Sequence, residues 1–222
     1  EQYTYNGELG ALYSKDKTTF ILWAPIASQV KLALYDAGND CDAKEVKTMT
    51  KSENGTWKIT LDGDLKGTYY NYLVTNYNEE SEVTDPYAKA VGVNGNRGMV
   101  VDLNSTNPEG WDKDTKPELK DPTDSIIYEM HIRDLTQDAS SGASLEVRGK
   151  YKGVWQSGTR LFGKGDVKTG IDHLKELGVT HVHILPTFDY NTVDETRLDE
   201  PQFNWGYDPQ NYNVPEGSYS SN

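Results

Sequence analysis

Segment 203–219 carries the side chains best suited to binding a ligand. Aromatic residues, glycine and proline alternate there with acidic and amide side chains. The run is too short and irregular to predict a helix or a regular strand. Flat apolar rings beside hydrogen-bonding groups suit a carbohydrate, whose ring faces are apolar and whose rim carries hydroxyl groups. This segment is therefore the first candidate for a binding site.

Carboxylates are the side chains that could act on a sugar chemically. Hydrolysis of a glycosidic bond with retention of configuration needs two carboxyl groups about 5–5.5 Å apart, a nucleophile and an acid/base. Residue type and spacing alone leave several acids eligible and do not choose among them. These are Asp134, Asp189, Glu195, Asp199 and Asp208.

The first half of the chain predicts an all-β sandwich of the immunoglobulin-like type. Residues 18–23 and 29–35 alternate apolar and polar side chains, and strands are also expected at 69–75 and 99–103. Asn54-Gly55 lies between 46–50 and 57–61, which is a strong hairpin signal. Short strands separated by frequent turns favour a sandwich. Trp23 and Trp57 fall within strand patterns, and we expect both to be core residues.

The second half has the pattern of a parallel βαβ unit. Residues 125–132 and 179–186 read as strands buried on both faces. Between them, residues 166–177 have apolar positions at helical spacing, with Asp166 as the N-cap and Gly178 as the stop. One such unit is compatible with either a doubly wound sheet or a barrel. Residues 105–123, rich in proline, lysine and aspartate, are the expected linker.

Several motifs resemble those of the type I pullulanases, which are α-1,6 debranching enzymes of the α-amylase clan, glycoside hydrolase family 13. The signature Asn-Trp-Gly-Tyr-Asp-Pro stands at 204–209 and Tyr-Glu-Met-His-Ile-Arg-Asp at 128–134. Shorter matches in the first half resemble the carbohydrate-binding module that precedes the barrel in debranching and branching enzymes. They are Leu-Gly-Ala-Leu at 9–12, Phe-Ile-Leu-Trp-Ala-Pro at 20–25, Gly-Thr-Trp at 55–57, Gly-Thr-Tyr-Tyr at 67–70 and Thr-Asp-Pro-Tyr at 84–87.

The resemblance implies three parts: a carbohydrate-binding-type module at 1–104, a linker at 105–123 and an incomplete (β/α)8 TIM barrel at 124–222. It implies an enzyme that cleaves α-1,6 branch points in pullulan, starch or glycogen. The family's catalytic carboxylates follow barrel strands four, five and seven, so no catalytic residue is expected here and the chain alone is predicted to be inactive. The expected partners are an α-glucan and the remainder of the same enzyme. The rivals are an isoamylase or branching enzyme, or a non-catalytic glucan-binding protein.

The resemblance also assigns a role to the ring of Tyr207, which is expected to stack on the sugar at the cleavage point. Asn204, Trp205 and Asp208 either line the site or shape the loop, and Asp189 is a further lining candidate at the mouth of the second strand. No metal or cofactor is implied. His131 and the pair His181 and His183 are interpreted as structural, because no cysteine or carboxylate partner stands at zinc spacing.

Composition limits the kind of partner. The formal net charge of −13 argues against nucleic acid, because neutralising phosphates requires lysine and arginine, and it suits a neutral substrate. The single Cys41 allows no internal disulfide. No segment has the pattern of a membrane span or a signal peptide. A soluble protein of bacterial type is expected, and the compartment, secreted or cytoplasmic, stays open.

Overall fold

The computed structural model describes residues 2–221. Two compact units divide the chain. The first contains Glu1–Glu109 together with Pro209–Pro215, and the second contains Gly110–Asp208 together with Glu216–Asn222. Segment 209–215 therefore groups with a unit that it follows by about a hundred residues in sequence. Among the described helices, none combines the length and the apolar character needed to cross a membrane.

The first unit contains two antiparallel sheets. One has the order β1-β2-β6-β5, and the other has the order β4-β3-β7-β8, with β9 paired to β7. The strands are β1 (Gly10–Tyr13), β2 (Lys17–Trp23), β3 (Gln29–Tyr35), β4 (Glu45–Thr48), β5 (Thr50–Lys51), β6 (Thr56–Asp62), β7 (Tyr69–Asn76), β8 (Glu79–Val83) and β9 (Gly98–Met99). The all-β character expected for this half is confirmed.

The core of this unit joins the inner faces of the two sheets. Phe20 from β2 and Val30 and Leu32 from β3 are completely buried, and Phe20 packs edge-to-face on Tyr70 of β7 at 4.9 Å between ring centroids. The period-two alternation of these strands places every second side chain in this core. The predicted turn is present, since Asn54 has φ 52° and Gly55 φ 82° between the paired strands β5 and β6. The hairpin is shorter than expected, because most of segment 46–50 is β4, which pairs with β3 in the other sheet.

The two tryptophans expected in the core behave differently. Trp57 is 6% exposed and belongs to the core, as predicted. Trp23 is 46% exposed, so the core prediction for it was wrong. Its position has the opposite parity to Phe20 and Leu22, and its side chain therefore points to the other face of β2. The indole nitrogen Nε1 lies 3.0 Å from the carbonyl oxygen of Tyr3.

Asp85 is a buried carboxylate bonded to two tyrosines of the first core. It is 1% exposed and accepts hydrogen bonds from the hydroxyl groups of Tyr70 at 2.8 Å and Tyr72 at 3.4 Å. Its other oxygen accepts the backbone N–H of Tyr87 at 2.9 Å. Burial raises the pKa of Asp85 despite these bonds, and burial also raises the pKa of Tyr70 and Tyr72, with the nearby carboxylate adding to the effect.

The second unit contains the predicted parallel strands. Strand β10 (Ile127–Met130) pairs in parallel with β11 (His181–Ile184), and the chain between them includes α1 (Tyr151–Trp155) and α2 (Gly170–Glu176). Strand β12 (Phe188–Tyr190) follows in this unit, and β13 (Pro209–Pro215) belongs to the first. The core of the second unit contains Met130, Ile132, Leu174, Tyr190, Val193 and Tyr219.

Two local expectations for this unit need correction. The helix begins at Gly170 with Thr169 as N-cap, not at 166, because residues 160–168 form a small hairpin closed by an antiparallel bridge between Arg160 and Lys168. Gly178 ends the helix with φ 73°, as expected. The strands are not buried on both faces. Ile127 is 67% exposed and Ile184 is 44% exposed.

Candidate functional site

Residues 203–208, here called the aromatic loop, present three rings to solvent. Phe203 is 54% exposed, Trp205 60% and Tyr207 70%. Phe203 and Trp205 meet edge-to-face at 5.3 Å between ring centroids. Large exposed rings so close together in sequence are unusual for a surface with no ligand, because their burial would be favourable. The loop is therefore a candidate surface for an apolar ligand face.

Gly206 determines how closely the loop approaches β11. Its φ is +88°, in the left-handed region that favours glycine. A Cβ atom there would lie 2.6 Å from the backbone oxygen of Pro186, just past the end of β11. The backbone N–H of Gly206 donates to the side-chain oxygen Oδ1 of Asn204 at 2.7 Å, a local turn that asparagine forms readily. Gly206 and Asn204 thus set the local backbone shape of the loop near the carboxyl end of β11.

His131 holds the same loop from the end of β10. It is 6% exposed and stacks on Phe203 at 5.5 Å between centroids. Its Nδ1 accepts the backbone N–H of Asp134 at 3.4 Å, so Nε2 carries the hydrogen and donates to the backbone oxygen of Asn204 at 2.7 Å. Through these two bonds the histidine anchors the loop to the end of β10.

Asp208 is fixed by Thr192. The backbone N–H and the hydroxyl group of Thr192 donate to Oδ2 of Asp208 at 3.1 and 2.7 Å. Burial would raise the pKa of Asp208, but hydrogen bonds from Thr192 and Asn204 outweigh it and lower that pKa. The carboxylate is therefore ionised at neutral pH and can only accept hydrogen bonds. Its second oxygen, Oδ1, is buried and has no hydrogen-bond partner among the residues described.

A buried layer of polar groups lies behind the loop. Asp189 is 2% exposed and Glu216 is 2% exposed. Oε2 of Glu216 accepts the backbone N–H of Tyr190 at 3.1 Å, and Oε1 accepts that of Ser218 at 2.9 Å. Burial raises the pKa of Tyr219, whose hydroxyl group lies 3.1 Å from Nε2 of His131. Asp189 thus belongs to the supporting interior.

Sequence reasoning missed two of these supports. Glu216 was not singled out, because glutamate is not one of the residues preferred at the start of a helical turn, although its side chain caps the turn at 217–219. The link from His131 to Asn204 joins positions 73 residues apart, and no local pattern reports it. The predicted residues Asn204, Trp205, Tyr207 and Asp208 are brought together in the aromatic loop, while Asp189 lies beneath the surface.

One further histidine forms a cross-strand pair with a carboxylate. His183 on β11 lies opposite Glu129 on β10, with Nδ1 and Oε2 3.2 Å apart. Across residues 2–221, no group of three or more histidine, cysteine, aspartate or glutamate side chains is arranged to hold a metal ion.

An all-β module and a parallel βαβ segment make up the chain. Residues 8–88 match the family model of carbohydrate-binding module 48, the isoamylase N-terminal domain. Over its whole length the chain is homologous to pullulanases. The family model thus covers the first unit in large part, and the similarity to pullulanases extends over the entire chain.

Three relatives illustrate this similarity. The pullulanase of Bacillus subtilis (strain 168) is 38% identical over 100% of this chain and 29% of its own length. The crystal structure of Paenibacillus barengoltzii pullulanase with maltohexaose and α-cyclodextrin is 50% identical, with a TM-score of 0.94, over 99% of this chain and 34% of that one. The Bacillus acidopullulyticus pullulanase structure is 47% identical, with a TM-score of 0.91, over 98% of this chain and 26% of that one. The chain thus spans about a third or less of these proteins.

Proposed function

We propose that this chain is part of a retaining glycoside hydrolase that cleaves α-1,6-glucosidic branch points in pullulan, starch or glycogen. In this proposal residues 1–104 are the carbohydrate-binding-type module, residues 105–123 the linker and residues 124–222 the beginning of a (β/α)8 barrel. The observation that carries it is the similarity of the entire chain to pullulanases, at 50% identity to the Paenibacillus barengoltzii structure.

The aromatic loop gives the proposal its binding chemistry. We infer that the exposed ring of Tyr207 stacks on a glucose unit, with Trp205 beside it as a second apolar surface. Asp208, whose Oδ2 is held by Thr192, and Asn204, which bonds to Gly206, give the loop its shape. Asp189 is buried and is not proposed to touch the sugar directly.

The exposed strands support a longer barrel. Ile127 on β10 and Val182 and Ile184 on β11 are apolar and between 40% and 67% exposed. Parallel strands of this kind occur almost only where both faces are covered. We infer that further strands of the same enzyme cover them. These strands would also supply the catalytic carboxylates, because none is assigned within the present chain.

The proposal predicts a specific kinetic effect of Tyr207→Ala in the complete enzyme. A lost stacking contact to the sugar at the cleavage point should lower kcat/KM for pullulan by more than tenfold, which corresponds to about 1.4 kcal/mol of transition-state binding. The melting temperature should hardly change, because the ring is 70% exposed. Tyr77→Ala is the matched control, since Tyr77 is 88% exposed in the first unit. Equal kinetics for the two variants would contradict the role of Tyr207.

The chain alone provides a second test. Purified residues 1–222 should release no reducing ends from pullulan, whereas the complete enzyme should do so. Hydrolysis by the purified chain would show that the assignment of the catalytic groups to the remainder of the enzyme is wrong.

A further inference from the structure

The second unit contains a cavity of about 210 Å³ whose wall is rich in positive charge. Arg133, Arg148 and Lys150 line it, against one carboxylate, Glu200. Sites for drug-sized ligands are typically about 300–1,000 Å³, so this cavity suits a small group better than a sugar chain. Such a cluster contrasts with a chain whose net charge is −13.

The cations of this cavity are bonded mainly to neutral groups. Nη2 of Arg148 donates to the backbone oxygen of Ala143 at 2.9 Å, while its Nε is buried without a hydrogen-bond partner among residues 2–221. The Lys150 ammonium donates to the backbone oxygen of Ser218 at 2.6 Å. Both hydrogen bonds are to backbone oxygens, which carry no formal charge, so they leave the positive charges of the cavity without a counter-charge.

The carboxylate on the wall does not neutralise this cluster. Glu200 is bonded to Arg197, whose Nε donates to its Oε1 at 3.1 Å. Burial and the neighbouring charge of Arg133 lower the pKa of Lys150, and they outweigh the opposite effects of Glu195 and Glu216. The electrostatic environment at Lys150 therefore favours the arrival of negative charge.

Gly149 lies in the cavity wall, where a larger side chain would not fit without displacing its neighbours. Gly149 has φ +71°, and a Cβ atom there would lie 2.1 Å from Oε1 of Gln137 and 3.4 Å from Cγ of Arg133. The backbone N–H of Gly149 donates to the hydroxyl group of Thr136 at 2.8 Å, which fixes this part of the wall. A larger residue at this position would displace the end of the Gln137 side chain and strain the left-handed backbone.

We propose that this cavity binds a phosphate group, either as inorganic phosphate or as the phosphate of a sugar monoester. Arginine guanidinium groups present paired N–H donors that match the oxygens of phosphate, and a lysine ammonium adds a point charge. The cavity offers two arginines and one lysine for this purpose. Asn204 and His131 also line this cavity, which therefore adjoins the aromatic loop. The test measures phosphate binding directly and does not depend on the activity proposed above.

Titration of the purified chain with inorganic phosphate, at constant ionic strength set by sodium chloride, tests the proposal. Calorimetry should show saturable binding, and phosphate should raise the melting temperature more than chloride does. Arg133→Gln should weaken the affinity at least tenfold. Arg148→Gln is a second variant, and Lys164→Gln is the control that removes one exposed positive charge outside the cavity.

The outcomes separate the possible sources. Tighter binding of glucose 6-phosphate than of inorganic phosphate, with no binding of glucose, would identify a sugar phosphate as the ligand. Equal or weaker binding would identify free phosphate. No saturable binding to the wild-type chain, or equal loss in Arg133→Gln and Lys164→Gln, would overturn the proposal. Binding to this chain but not to the complete enzyme would also overturn it, because carboxylates of the longer protein would then occupy the cavity.

Discussion

Replacing Asp85 by alanine should destabilise the first unit strongly. The change removes the acceptor of two tyrosine hydroxyl groups, on Tyr70 and Tyr72, that are 1% and 0% exposed. It also removes the acceptor of the Tyr87 backbone N–H. Each buried donor left without a partner costs about 1–3 kcal/mol. After partial relaxation we expect the free energy of unfolding to fall by roughly 3–5 kcal/mol.

Urea denaturation followed by tryptophan fluorescence measures this loss, because Trp57 lies in the same core. The matched control is Asp64→Ala, since Asp64 also accepts a tyrosine hydroxyl group, that of Tyr13 at 2.9 Å, but on the exposed surface. We expect its cost to be much smaller, because water replaces the lost hydrogen bond at an exposed site. A loss in Asp85→Ala no larger than that in Asp64→Ala would refute the argument from burial.

The same carboxylate makes a pH-dependent contribution. Because burial raises its pKa above the ordinary value of 3.8, the folded chain binds the proton more tightly than the unfolded chain does. This contribution to stability is complete below pH 3.8 and is lost as the pH rises through the pKa of the folded state. The free energy of unfolding of the wild type relative to Asp85→Asn should therefore decrease with rising pH across that window. An increase would show that the hydrogen bonds outweigh burial.

Two further predictions concern single positions. Gly206→Ala should destabilise the second unit by about 1–2 kcal/mol because of the left-handed backbone, and by more because of the clash with the Pro186 oxygen. Thermal melting should therefore show a lower melting temperature. A wild-type melting temperature would contradict the close approach. Trp23→Ala should lower the free energy of unfolding by well under the roughly 3–5 kcal/mol of a fully buried aromatic, because the side chain is 46% exposed. Urea denaturation measures this change, and a decrease in the higher range would contradict the observed exposure.

Alternating sequences made most of the first unit predictable. Strands β2, β3, β6 and β7 lie within about two residues of their expected bounds, because each buries one face and its period of two is visible. Strand β8, Glu79–Val83, has no such pattern, since all five of its residues are exposed and only backbone pairing to β7 defines it. The expected strand at 99–103 is reduced to Gly98–Met99. Trp23 was misjudged because its place in the alternation, not its residue type, decides its burial.

The exposed rings of the candidate site could be predicted from the sequence, but the buried residues that hold the loop could not. The composition of 203–208 indicated exposed rings, and Tyr207 is indeed 70% exposed. Its stacking role stays a prediction. The bonds of His131 and Glu216 to the backbone join distant parts of the chain, and no local pattern encodes such bonds. Likewise, the exposure of Ile127 and Ile184 depends on which other elements pack against β10 and β11. The residue types within those strands carry no information about such neighbours.

The grouping of strand β13 with the first unit has a consequence for synthesis on the ribosome. Asn211 and Asn213 donate to the backbone oxygens of Gly95 and Pro86 at 3.0 and 3.1 Å, and Gln210 donates to that of Asn94 at 3.0 Å. A nascent chain that has reached Glu109 lacks these donors for about a hundred more residues, which is roughly 5–20 s at ordinary elongation rates. The module therefore emerges early but reaches its final hydrogen bonding only after the segment that follows it has been translated.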